Sequence, residues 1–548
     1  MPLMGSLYIG TSGLQTSQNA LNTVAHNLAN ASTTGYSRQQ ILLADNRYNS
    51  ISVTPDAVSN LQTGLGVTYA ETKQVRDYFL DRTYRKEAGR SAFYEVSYNT
   101  LTEIEDLLGE MNGATFQSSL ANLQESVKEL AKDPSSSVTQ GLFIQRSSQF
   151  LQRADTVYEG LSAYQDNINT QVKSTVDRIN EIGSKIFDLN NQITSIEVGG
   201  TENANDLRDQ RNLLLDELGS LVNISYSEGA DKAVDVSIEG HSFVSSNMVY
   251  GLSLDMDEDT GFYTPFWTLD ATASTLANGS KTYDTTSAKL YDLTRDVSSA
   301  TDTDIGKLKA MLMARGDHRA NYTDLNSSTY NDVVSSSIVM NVQAEFDNLI
   351  HEITTQINKV IADASAATGG NYLTDSNGNP IQVFQKISSD GYSGGVYVPE
   401  DTSPGNENTL YTLSNLQVNP ELVKQASLLT FKKPDGSVDY DTANKLCEVF
   451  SKEDYVLNPN VTSKTNLVDY YSSIVNQVAN TGSVFKSVYT SEQTTVAETE
   501  SARQQVVGVS DDEELSNMIK FQNAYNASSR YINVIDQMLE HIINTLGA

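Results

Sequence analysis

Near the end of the chain, Met518, Phe521, Tyr525, Ser528, Ile532, Ile535, Leu539, Ile542 and Leu546 follow one another at alternating spacings of three and four. This is the seam of a coiled coil, polar only at Ser528 and free of Pro and Gly before Gly547. Ser510 and Glu513 stand at capping-box spacing, and Asp511, Asp512 and Glu514 place negative charge where a helix N-terminus is positive. The outward positions, among them Asn517, Lys520, Asn523, Arg530 and Glu540, are polar, so the stripe needs a partner helix to bury it. A candidate partner opens the chain. Leu7, Leu14, Leu21 and Leu28 recur every seven residues, with Gly10, Ser17, Val24 and Ala31 as a second, smaller row that lets a facing helix come close. Gly5 to Asn30 contains no Asp, Glu, Lys or Arg. Each helix carries a single seam, which buries little area against the entropy of ordering, so the pair is expected to order on assembly.

Between these ends the pattern changes several times. Ile41 to Gln74 alternates in short pieces (Ile51/Val53, Val67/Tyr69) around Pro55 and Gly64-Leu65-Gly66, which predicts an extended, hairpin-like arm. From Asp77 to about Leu221 the period is helical. One stripe is Leu101, Ile104, Leu107 and Leu108; a second runs from Phe116 to Leu130 and stops at Asp133-Pro134; a long third one runs from Ile168 to Ile196 and ends at Gly199-Gly200. Helical periodicity vanishes between Tyr226 and Asp304, where Ala233–Ile238, Ser242–Ser245 and Phe262–Leu269 read as strands. It returns at Ile305–Arg315 and from Val334 to Val360, and gives way at Gly369-Gly370 to an irregular stretch with turns at Asn377-Gly378, Gly394-Gly395 and Asp435-Gly436. From Lys464 helix resumes. The expected fold is mostly α and multidomain: a terminal coiled-coil pair and a long helical bundle with two β-rich inserted domains. Expected boundaries are 1–40 with 509–548 for the terminal pair, and 41–225, 305–365 and 463–508 for the helical body. The insertions are expected at 226–304 and 366–462.

Composition narrows the function. A length of 548 residues exceeds what one core usually serves, and 28 Tyr with 15 Phe argue against global disorder. The net charge of −32 disfavours nucleic-acid binding, which needs clustered Lys and Arg. Cys447 stands alone, so no internal disulfide forms. No apolar run approaches the ~20 residues of a membrane span, so membrane insertion is not expected. The first ten residues lack the basic region and apolar core of a cleaved secretory signal.

The residues after the first helix carry a resemblance. His26-Asn27-Leu28-Ala29-Asn30-Ala31-Ser32-Thr33-Thr34-Gly35-Tyr36-Ser37-Arg38 resembles the signature of the bacterial flagellar rod, hook and hook-associated proteins, with Asn30, Thr33, Gly35, Tyr36 and Arg38 filling every place of the motif. Asn30 and Gly35 suit positions that leave a helix through positive φ, and Tyr36 and Arg38 could offer an apolar or cation–π surface to a neighbour. Gly64-Leu65-Gly66-Val67 and Arg76-Asp77-Tyr78-Phe79-Leu80 resemble the family's entry into its helical domain. Leu207 to Leu218, leading into Leu221-Val222-Asn223-Ile224, resembles the hook-associated branch at the hook–filament junction. The resemblance implies a structural, extracellular subunit of the flagellum, exported through the flagellum's own channel. The implied partners are the hook protein, a second junction protein, a cytosolic chaperone on the C-terminal helix, and copies of the chain itself in a ring or tube. It also makes the seam residues of both terminal helices the expected assembly interface.

Catalytic patterns are missing. His26, His241, His318, His351 and His541 lack metal-ligand spacing. Asp255-x-Asp257-x-Asp259 begins like a calcium loop, but Thr260 replaces the needed Gly and Phe266 the needed Glu, so it reads as an acidic turn. Cys447 has no His in its segment and reads as a buried structural thiol. No cofactor, metal or enzymatic activity is expected. The alternatives are another axial protein of hook or distal rod, and a secreted enzyme or adhesin acting through the insertions.

Overall fold

The computed structural model describes residues 2–46, 48–52, 61–109, 115–200, 202–275, 281–285, 287–370, 372–388, 392–393, 396–403 and 405–546. In chain order the helices are α1 (Pro2–Ala29), α2 (Tyr78–Leu108), α3 (Phe116–Lys132), α4 (Ser137–Glu197), α5 (Asn205–Leu221), α6 (Lys307–Arg315), α7 (Ile338–Ala367), α8 (Pro420–Lys424), α9 (Tyr440–Ser451), α10 (Leu467–Val507) and α11 (Asp511–Leu546). Among the described residues strands form sheets of two or three members, and the fold is mostly α. The chain divides into two compact units, one of Met1–Ser91, Asp177–Leu252 and Glu492–Ala548, the other of Ala92–Val176 and Ser253–Ser491. α2, α4 and α10 contribute to both. The stretch 226–304, expected as one insertion, is likewise shared between the units. Val53, Pro55 and the Gly394-Gly395 turn lie outside the described residues.

In the first unit α1 packs along α11. Gly10 faces Ile532, Gly13 faces Ser528, and Asn27 bonds Glu514, so the helices run antiparallel. A Cβ on Gly10 would lie 2.7 Å from Ile532 Cγ1, and one on Gly13 would lie 2.8 Å from Ser528 Oγ. The large residues of α11 therefore demand the small row of α1. Of that row Gly10, Ser17 and Val24 are buried, as are Ala20 and Asn27 beside it, while Ala31 is exposed and Leu7, Leu14, Leu21 and Leu28 are half-buried. The arm follows α1 as Gln39–Asp45 paired antiparallel with Val67–Gln74, with Tyr48–Ser52 paired to Leu61–Gly64 beyond. Gly66, at φ +93, brings this hairpin so close to Ser12 and Ile9 of α1 that a side chain would collide. A three-stranded sheet, Ile224–Glu228, Val234–Ile238 and His241–Val244, closes the unit. Asn190 of α4 clasps the backbone of Val234 in both directions, at 2.9 and 3.0 Å.

The second unit is built on α7. Val339, Met340, Phe346, Leu349, Ile350, Ile353, Ile357 and Ile361 are all buried, and Phe346 meets Phe116 and Tyr471 in an aromatic cluster whose closest ring pair is 4.7 Å apart. Within 366–462 the short strand pairs are joined by α8 and α9, the latter capped by the Asp439 side chain, so this stretch is more helical than its turn signals suggested. Asp257 accepts three bonds from Asp259 and Thr260, making the acidic stretch an Asx-type turn. Cys447 is half-buried, with its thiol on Val127 O.

Candidate functional site

The seam and the motif meet at one end of the helix pair. On α11, Met518, Phe521, Tyr525, Ser528, Ile532 and Leu539 are half-buried and Ile535 is buried, while Ile542 stays exposed and the side chain of Leu546 lies outside the described residues. These positions are occupied by α1 of the same chain. What the pair leaves open is a second apolar strip off the seam, Tyr531, Val534 and Met538, with Leu515 and Ile519 nearer the N-terminus and Met4 and Tyr8 on α1. Exposed apolar residues grouped on one side of a helix are the kind of surface that interaction sites use.

Beyond α1 the chain turns by side-chain bonds. Asn30 Nδ2 donates to His26 O, Thr33 Oγ1 donates to Asn30 Oδ1, and Tyr36 N donates to Thr33 O. Asn30 keeps a negative φ, contrary to the expectation for it, because its amide does the capping; Gly35 alone takes the left-handed turn, at φ +80. There its bare Cα sits against Leu213 of α5, where an added Cβ would stand 3.5 Å away. Tyr36 and Arg38, read as offering surface to a neighbour, are engaged within the chain. Tyr36 Oη donates to Asn27 Oδ1 at 2.8 Å, and its ring meets His26 edge-on. Burial, then Asp206 and Asp209, push the phenol pKa up. Arg38 bonds Glu513 at the start of α11 at 2.8 Å, its backbone N–H donates to Val507 O, and its carbonyl accepts from Val75.

Asn27, outside the motif, holds this turn together: its Nδ2 donates to Gln39 O, and its Oδ1 accepts from Gln39 N and Tyr36 Oη. Next to it runs an alternating ionic lattice. Asp209 accepts from the Ser37 backbone and hydroxyl and pairs with Arg76, which forks onto Asp81; Arg503 lies between Asp81 and Asp216, and Arg85 completes Asp216. Burial raises the Asp209 pKa to about 6 despite these donors. Each carboxylate in this lattice sees at least two donors, the condition under which buried charge is tolerated. The arrangement clamps the exit of α1, the start of α2, α5 and the end of α10 into one rigid base for the helix pair. Among the described residues no group of His, Cys, Asp and Glu is placed to hold a metal.

Comparisons with known proteins agree with this layout. The family model for the flagellar hook-associated protein FlgK helical domain matches residues 101–373. A flagella basal body rod protein model matches 7–36, and a flagellar basal body rod FlgEFG protein C-terminal model matches 503–545. Flagellar hook-associated protein 1 of Bacillus subtilis is 24% identical over 97% of this chain and 96% of its own length. The Escherichia coli protein of that name is 23% identical over 97% and 98%. The chain belongs to the flagellar hook-associated protein 1 family. It is a structural protein of the bacterial flagellum, an extracellular appendage. The fold is that of the flagellar hook junction protein FlgK from Burkholderia pseudomallei, at TM-score 0.53 and 14% identity over 78% of this chain and all of that one. Among the described residues no helix is long and apolar enough to cross a membrane.

In a member of this family, the two terminal matches coincide with α1 and its exit turn and with α11, the elements that carry the exposed strip. The residues that sequence reasoning missed are Asn27 and the lattice members Arg76, Asp81, Arg85, Asp209, Asp216 and Arg503. One signal was present. Asp209 and Asp216, seven apart, share one face of the helix with Asn205 and Asn212, and a polar face packed inside the chain asks for partners.

Proposed function

We infer that the chain is a structural subunit of the hook–filament junction that polymerises through its terminal helix pair. The observation that carries this is the division of α11 into two apolar faces, a seam covered by α1 and a strip of Tyr531, Val534 and Met538 left bare. Helices from neighbouring axial subunits cover that strip, and the charge-free surface of α1 admits close contact there without desolvating ions. The hook protein lies on one side, a second junction protein on the other, and copies of the chain form the ring or tube between them. Before export a cytosolic chaperone covers α11, whose apolar strip would otherwise promote aggregation. Export proceeds through the flagellum's own channel, and a single cysteine leaves the chain without internal cross-links for that passage. The role is mechanical and calls for no catalysis and no nucleic acid. In a strain lacking this chain, electron microscopy is expected to show complete hooks without filaments; filaments attached at normal frequency would refute the assignment.

A further inference from the structure

The first unit also holds a polar cavity of about 350 Å³ that the assembly role does not use. Its walls come from the Val67–Gln74 strand, the start of α2, α5 and the three-stranded sheet. In a chain of net charge −32, this one cavity gathers Lys73, Arg76, Arg85, Arg208, Arg211 and Lys232 against Glu71, Asp81 and Glu228. Arg76 and Arg208 are saturated, the first forked on Asp81 and the second on Glu197 and Glu228.

The other cations are not saturated. Arg85, with its side chain 2% exposed, gives Nε to Asp216 and Nη2 to Asn212, but Nη1 has no acceptor. Arg211, 3% exposed, gives Nη1 to Asn190 and Lys232 O and Nη2 to Glu228, but Nε has no acceptor. The hydroxyl of Tyr226 is also buried without a partner, its ring 4.5 Å beneath the Arg85 guanidinium. Lys73 and Lys232 are exposed, and neither makes an ion pair among the described residues. Buried N–H groups without acceptors are costly, and an oxyanion supplies several acceptors at once.

We propose that this cavity binds a small multivalent oxyanion of the phosphate or dicarboxylate class, with Arg85, Arg211 and Tyr226 as inner donors and Lys73 and Lys232 at the rim. The volume is at the low end of the roughly 300–1,000 Å³ of small-molecule sites and admits a compact anion with part of its hydration shell. Burial, with Arg208 nearby, holds the Arg211 pKa down, to about 10, against the pull of Glu228. An anion there ties together segments distant in sequence and so stabilises the first unit by mass action.

The test is thermal unfolding of the full chain titrated with sodium phosphate and, separately, sodium succinate, each against sodium chloride at matched ionic strength. At least one of the two is expected to raise the melting temperature along a saturating curve that chloride does not reproduce, and the arm that saturates identifies the anion geometry. Lys73→Gln/Lys232→Gln, at exposed positions whose side chains make no ion pair among the described residues, should shift the midpoint to roughly tenfold higher anion concentration, the size of one lost charge-assisted bond. Lys128→Gln, an exposed lysine of the other unit, should leave it in place. Equal curves for all three salts, or an unchanged midpoint in the rim variant, would overturn the proposal.

Discussion

α7 and α11 are both long amphipathic helices with apolar residues at spacings of three and four, yet they end in opposite situations. Along the 30 residues of α7, apolar side chains from Val339 to Ile361 other than Val360 are removed from water, and even Glu345 and Asp347 are buried. Along the 36 residues of α11, Glu514 and Ile535 are the buried side chains among those described, and Leu515, Ile519, Tyr531, Val534, Met538 and Ile543 face solvent. Burial of apolar area is the main stabilising term, at roughly 25 cal/mol per Å². α7 collects it within its own chain; α11 has an equivalent surface still to bury. The same periodicity thus serves a core in one place and leaves apolar surface open in the other, and what separates them is how many sides of the helix the chain itself covers.

The comparison breaks most sharply at the exposed strip. Val534→Glu/Met538→Glu is expected to abolish filament attachment, scored as hooks without filaments, while the monomer melts within a few degrees of wild type, because exposed substitutions usually cost within about 0.5 kcal/mol. A folded monomer that still assembles would remove the strip from the interface. Phe346→Ala makes the reverse case. It empties a site between Phe116 and Tyr471, and a loss of about 3–5 kcal/mol is expected in denaturant unfolding of the monomer.

A smaller effect sharpens the same contrast through pH. Glu345 accepts from Asn341, Asn458 and Gln477, and burial lifts its pKa to about 7. Its folded pKa lies above the unfolded value, so the folded state keeps a proton that the unfolded state has lost between about pH 4.5 and 7, and stability falls as pH rises through that window. Glu345→Gln removes the penalty. Relative to wild type the variant is expected to gain on the order of 2–3 kcal/mol between pH 5 and pH 8, read from urea midpoints. Parallel pH profiles would show that the carboxyl titrates normally.

Much of this was legible from local pattern. Heptads located α1 and α11, Asp133-Pro134 marked the end of α3, and Gly35 announced the left-handed turn after α1. What escaped was built from pairs far apart in the chain. Nothing near Asn27 indicates that its amide clasps Gln39 and Tyr36, and the lattice joins Arg76, Asp81, Asp209, Asp216 and Arg503 from separate segments. Its members each look like an ordinary solvated charge. For the same reason strand-like pieces between Ala233 and Leu269 were visible, but not that they join different units. α9 is longer than α6 and was hidden by its setting, since its buried face of Ala443, Leu446, Val449 and Phe450 follows directly on the Asp435-Gly436 turn.

The central claim is that α7 is stable within its own chain while the α1–α11 pair depends on neighbours. Hydrogen exchange followed by mass spectrometry, on the dilute monomer and on the assembled junction, measures it directly. In the monomer, amides across Val339–Ile361 are expected to be strongly protected and those across Leu7–Leu28 and Met518–Leu539 to exchange much faster, with the terminal helices gaining protection on assembly. Protection of the terminal helices in the dilute monomer equal to that of α7 would contradict the account.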